Sequence, residues 1–188
     1  MRYDPATDKF EQYIPPAGAG YPRGVDVDSK GIVWVGLGGS GHLASFDRSK
    51  CKQTWGDGTQ CAEGWTYYKS PGPYFRTPGG AVNADFHYYV WVDKYNTLGM
   101  GKDTPILTGT DSDSLLALNR KTKKFTIIRI PYPLVGYMRG LDGRIDNPKT
   151  GWKGRGLWWD SGIDPTLHIE TQHGYVAHVQ MRPNPLAR

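Results

Sequence analysis

The side chains of this 188-residue chain that could do chemistry are five histidines and a scatter of carboxylates. His42 follows the glycine run Gly36-Leu37-Gly38-Gly39-Ser40-Gly41, and an imidazole there could serve as a general base or a metal ligand. Asp111 and Asp113, in Thr110-Asp-Ser-Asp-Ser114, and Asp160 are the carboxylates that would complete such a site. The rival reading makes His42 a surface hydrogen-bonder at the start of a strand. His87, among the aromatics of Asp85-Phe-His-Tyr-Tyr89, reads as a buried, hydrogen-bonded core residue rather than a ligand. His168, Glu170 and His173 do not share a strand face, because side chains alternate with period two, so no metal site is expected there or elsewhere. The glycine run joins two strands and opens no helix, so it lacks the helix N-terminus that a phosphate loop needs.

Cys51 and Cys61 bracket one glycine-containing loop. Two cysteines cannot form a tetrahedral zinc site alone, and the spacing is not C-x-x-C. They read as a local disulfide, with two free thiols as the alternative. A disulfide implies an oxidising compartment, periplasmic or extracellular. Met1 leads straight into a strand-like segment with no signal peptide, so the chain reads as an internal fragment or a processed product.

The elements that must position these groups are strands. Glycine (25) and proline (14) are abundant, and so are tyrosine (12) and tryptophan (7), a mixture that suits short strands joined by tight turns. Apolar runs such as Gly31 to Val35, Leu43 to Phe46, Leu115 to Leu118 and Phe125 to Ile130 are short, mostly alternating and bounded by turn residues. No convincing amphipathic helix is present, and no run approaches the ~18 apolar residues of a membrane-spanning helix. The net charge of +5 is dispersed. Only Lys121, Lys123 and Lys124 cluster, in a hairpin turn, so no nucleic acid is expected as a partner.

Self-comparison fixes the architecture. Arg23-Gly-Val-Asp26 recurs as Arg139-Gly-Leu-Asp142, and Tyr3 to Phe10 recurs as Leu118 to Phe125. An intermediate copy places Trp65, Tyr68 and Pro71 against Phe10, Tyr13 and Pro16. The repeat is about 57 residues, within the range of a four-stranded propeller blade with loop insertions. The expected fold is therefore an all-β β-propeller of four-stranded blades, with about three blades present and the ring incomplete. The expected units are a partial blade over 1–16, blades over 22–71 and 79–131, and a partial blade over 137–188. In the best-defined copy the strands are Gly24 to Val27, Ile32 to Leu37, His42 to Phe46 and Trp65 to Lys69. A sheet with two apolar faces needs neighbours on both sides, so another protein chain or further blades are expected to complete the ring.

The stretches Tyr3 to Tyr13, Pro22 to Val35 and His42 to Asp47 resemble the repeat of the streptogramin lyase (virginiamycin B lyase) propellers. Leu115 to Trp159 resembles it less closely, and Asn83 to Thr110 looks like a segment of larger exported bacterial proteins with lyase-like propellers. The resemblance implies a C–O lyase that removes a proton beside an ester carbonyl while a metal, Mg2+, polarises the oxygen. Lyase repeats often carry Trp-Phe-Thr-Glu after the strand, whereas this chain has Trp34-Val-Gly-Leu37 and Trp158-Trp-Asp160. The resemblance therefore implies the fold more than the chemistry.

The expected function is a non-catalytic exported binding or scaffold module with no cofactor. The alternative is a metal-assisted lyase acting on a cyclic ester or lactone. Loops converging on one face of the propeller are expected to present Tyr21, Arg23, His42, Asp111, Asp113, Tyr137, Arg139 and Asp160 to a small ligand. The repetition of Arg23 and Arg139 reads as structural, each pairing with acidic or carbonyl groups. A third reading is a carbohydrate surface formed by Trp55, Trp65, Trp91, Trp152 and Trp159.

Overall fold

The computed structural model describes residues 1–110, 112–131, 137–143, 156–162 and 175–179. Among them, β1 (Arg2–Asp4) and β2 (Lys9–Glu11) form a hairpin. β3 (Pro22–Val27), β4 (Val33–Leu37), β5 (His42–Phe46) and β6 (Trp65–Lys69) form a four-stranded antiparallel meander. A second hairpin, β7 (Tyr74–Thr77) and β8 (Gly80–Asn83), leads to another four-stranded meander of β9 (Val90–Asp93), β10 (Thr104–Gly109), β11 (Ser114–Leu118) and β12 (Phe125–Arg129). The last sheet holds β13 (Tyr137–Asp142), β14 (Leu157–Gly162) and β15 (Tyr175–Val179).

Alternation decides how the sheets stack. On β4, Trp34 points toward the β9–β12 sheet and joins Leu43, Val90, Val92, Leu107 and Leu116, while Val35 and Leu37 point the other way. The β9–β12 sheet is apolar on both faces. Leu116 and Leu118 pack back onto β3–β6, whereas Leu115 and Ala117 pack forward onto Leu141, Leu157 and Trp159. A strand buried on both sides reads as an unbroken apolar run, as Leu115–Leu118 does. The chain is thus an all-β stack of antiparallel sheets, a portion of a β-propeller.

β3 begins two residues earlier than the expected Gly24, because the ladder with β4 continues past a bulge between Arg23 and Val25. Gly24 sits there at φ +52°, and a Cβ on it would lie 2.7 Å from Tyr89 Cα and from Val90 N. Glycine lets β9 approach the bulge. The matching bulge in β13 lies between Met138 and Leu141, around Gly140. The recurring Arg-Gly pair marks this bulge.

The β3–β4 turn is tied to the next sheet. Asp28, buried, accepts from Lys30 N and Ile32 N at 2.9 Å each and from Trp34 Nε1 at 3.3 Å, and it pairs with Arg120 at 3.0 Å. Asp103 reaches back to accept from Ser29 N at 2.9 Å and from Ser29 Oγ at 2.5 Å. The Cys51–Cys61 disulfide forms as expected. Its loop holds the exit from β2, since Gly58 O accepts from Ile14 N at 2.7 Å and Thr54 O from Tyr13 Oη at 3.2 Å.

Candidate functional site

The candidate site is the face where the β4–β5 turn, the β10–β11 turn and the segment from β6 to β9 meet. The β4–β5 turn is packed rather than open. Gly38 N donates to Tyr21 O and Gly39 N to Gly20 O, both at 3.1 Å, and Ser70 N donates to Gly41 O at 3.0 Å. Phe86 lies against Gly38 and Asn83 against Gly41, positions where a side chain would collide with them.

Asn83, Asp85 and His87 organise this face. Asn83 Nδ2 donates to Ser70 Oγ. Asp85 Oδ1 accepts from Ser112 N at 2.7 Å, and Phe86 N donates to Thr110 Oγ1 at 2.9 Å, so the segment is fastened to the β10–β11 turn. His87 is fully buried, in keeping with its reading as a core histidine. Its Nδ1 lies 2.8 Å from Thr108 O, and a carbonyl only accepts, so Nδ1 carries the proton. Nε2 is then an acceptor for Asn83 Nδ2 at 3.2 Å. Burial holds the His87 imidazole below the ordinary histidine pKa and outweighs the Thr108 hydrogen bond and the Asp85 charge. His42 is half-buried at the start of β5 with its ring 6.1 Å from Tyr67, and burial pushes its pKa down too.

The other expected site residues are placed as follows. Tyr21 is 74% exposed and sits at φ +50°, an unusual backbone for a bulky residue. Arg23 places its guanidinium over the Tyr88 ring, 5.3 Å from the centroid, so its described contact is aromatic rather than the expected acid or carbonyl pairing. Asp113 ends the β10–β11 turn at φ +46°, and its carbonyl accepts from Ile130 N at 2.9 Å. The Asp160 carboxylate accepts from Gly140 N at the β13 bulge. Tyr137 and Arg139 are described as backbone positions of β13, and Asp111 lies outside the described residues, as do Trp152, His168, Glu170 and His173.

His87 spends both ring nitrogens on protein partners, and one oxygen of Asp160 serves the Gly140 amide. Among the described residues no group of three His, Cys, Asp or Glu side chains could hold a metal ion. The tryptophan surface is overturned in part: Trp91 and Trp159 are core residues, 4% and 3% exposed, and Trp55 projects alone from the disulfide loop. Sequence reasoning missed Asn83, Asp85, Thr110 and Ser112. The signal for Asn83 and Asp85 was the polar spacing of the segment before His87, and that for Thr110 and Ser112 their places on either side of Asp111.

A stack of antiparallel four-stranded sheets, with turns gathered on one face, defines a partial β-propeller. Its fold is similar to that of streptogramin B lyase, at a TM-score of 0.50 and 15% identity over 94% of this chain and 45% of that one. A catalytically inactive virginiamycin B lyase from Staphylococcus aureus, solved with quinupristin, is similar at a TM-score of 0.50 and 13% identity, over 91% of this chain and 45% of that chain. The chain spans under half the length of these structures. No protein-family model and no curated protein matches it.

Proposed function

We propose that this chain is part of an exported, non-catalytic propeller that binds a small ligand or a protein on the face built by Tyr21, Arg23 and the packed β4–β5 turn. The observation that carries the reading is the commitment of the reactive groups to structure. His87 is neutral and engaged at both nitrogens, and Asp85 and Asp160 hold backbone amides. Beside them, Tyr21 and the Arg23–Tyr88 pair present an aromatic and cationic surface, which suits a planar or anionic group. The Cys51–Cys61 disulfide supports an oxidising compartment, and the ring is completed by further blades or another chain.

The alternative, a lyase acting on a cyclic ester, draws on the similar fold and on His42, a half-buried imidazole that stays neutral. Incubation with quinupristin and Mg2+, read by mass spectrometry, separates the two. The binding reading expects an intact peptide. Ring opening that disappears in His42→Ala would establish the lyase.

A further inference from the structure

We propose that the β7–β8 hairpin is a docking site for an extended segment of a partner protein, in which apolar and acidic residues alternate and which adds as a third strand at the β8 edge. This goes beyond the reading above, since the site needs neither Tyr21 nor Arg23.

The hairpin is an inserted element. Pro71 repeats Pro16, and the chain passes from Pro16 to β3 without a strand, whereas from Pro71 to β9 it first makes β7 and β8. Its described ties lie at the base. Tyr74 Oη donates to Ser70 O, Asn83 Nδ2 to Ser70 Oγ, and Ala84 N to Pro73 O at 2.9 Å. Beyond that base every residue from Phe75 to Val82 is exposed, and a Cβ on Gly80 would meet nothing within 4 Å.

The alternation of the hairpin is inverted. Tyr74 pairs with Asn83, and Arg76 with Ala81, on the face that meets Ser70. Phe75 pairs with Val82 on the opposite face, turned away from Ser70, where the two side chains are 61% and 50% exposed. A hairpin packed onto its own protein would turn that apolar pair inward. Since a two-stranded hairpin is marginal in water by itself, an apolar cross-strand pair left on its solvent side marks a surface that gains stability when covered.

Charge and edge select the occupant. From Trp65 to Asn83 the chain carries two cations, Lys69 and Arg76, and no carboxylate. Lys69 Nζ lies over the Tyr74 ring, 4.9 Å from its centroid, while Arg76 makes no ion pair among the described residues. β7 carries Arg76 and is flanked by Pro73 and Pro78, the kind of charge and prolines that close an edge to pairing. β8, Gly80-Ala-Val-Asn83, has neither. A strand added there sets alternate residues beside Val82 and beside Ala81. Those beside Val82 extend the Phe75–Val82 pair and must be apolar. Those beside Ala81 lie on the Arg76 side with only a methyl group between, so an acid there meets the guanidinium. A second copy pairing β8 to β8 would supply no carboxylate for Arg76, and the partner is therefore a different chain.

The test titrates the isotope-labelled full chain with a blocked peptide of alternating valine and glutamate, and with its counterpart in which lysine replaces glutamate. NMR shifts and hydrogen exchange read the response. The expected result is saturable binding of the glutamate peptide at residues 75–83 with new protection in β8, and binding of the lysine peptide weaker by about tenfold or more. Arg76→Glu should invert that preference. Arg76 is exposed, so an unchanged melting curve certifies that this variant is folded. Failure of the glutamate peptide to bind at the hairpin, equal binding of the two peptides, or a preference that survives Arg76→Glu overturns the proposal. Self-association of the chain alone that buries Phe75 and Val82 overturns it in favour of a second copy. None of these outcomes touches ligand binding at Tyr21 and Arg23, which is read separately.

Discussion

Asp26, near the end of β3, reaches into the next sheet and accepts the amide of Val92 at 2.8 Å, while its other oxygen pairs with Lys94 Nζ at 3.2 Å. The carboxylate thus joins the inner strands of two sheets, beside the Asp28–Arg120 pair and the Ser29–Asp103 hydrogen bonds. Asp26→Ala is expected to lower stability by about 1–2 kcal/mol, measured by urea denaturation, since hydrogen bonds to charged groups contribute roughly 1.5–3 kcal/mol and this one is partly exposed. Asp26→Asn should recover part of the loss.

Trp34 and Trp158 occupy the same register position, opposite Asp26 and Asp142. They differ in cover: Trp34 is 2% exposed between two sheets, whereas Trp158 is half-buried against the His178 ring at 4.4 Å. Trp34→Ala is expected to cost about 3–5 kcal/mol. Trp158→Ala should cost clearly less, and equal losses in the same denaturation assay would contradict this packing.

The disulfide fastens the loop that holds the N-terminal hairpin. Thiol titration of the denatured, unreduced chain should find no free thiol. After reduction, trypsin should cut first at Lys9, because the ties from Ile14 to Gly58 and from Tyr13 to Thr54 depend on the closed loop. Cleavage at Lys9 that is indifferent to reduction would show that the hairpin is held without it.

Burial lowers the pKa of both His42 and His87 from 6.5, so below that pH the unfolded chain binds protons that the folded chain does not. Stability should therefore rise with pH up to this value and fall on acidification below it. The Arg48 hydrogen bond holds the Glu11 carboxyl down at about 2 from 4.5, against the effect of burial. That contribution is present above 4.5 and lost as pH falls toward 2. Glu11→Gln should shrink the lower window, to which Asp103, held down against burial by its Ser29 hydrogen bonds, also contributes, and leave the histidine window, as read by denaturation across the pH series.

The repeat made the architecture legible because each copy carries its own alternation and turn residues. Gly24 and Gly140 are a clear case, since the Arg-Gly recurrence is visible in the chain and turns out to be a bulge. The site was less legible. His42 and Asp160 stand out in the sequence by residue type, but Asn83, Asp85 and Thr110 meet partners about 13 to 27 residues away in the chain.

By itself the sequence determined the all-β class, the four-stranded sheet of the best-defined copy and the likeness to a propeller repeat, and it pointed to Cys51–Cys61 with free thiols as the alternative; these follow from local alternation, turn chemistry and short-range closure. Tertiary structure decided that Trp34 is core while Trp55 is exposed, that Arg23 meets the Tyr88 ring rather than an acid, and that His87 is neutral with its proton on Nδ1. It also decided that Phe75 and Val82 are exposed on their hairpin while Val90 and Val92 are buried. Period two assigns a side chain to a face of its sheet, but whether another sheet covers that face is a non-local fact, set by which strands stack against it.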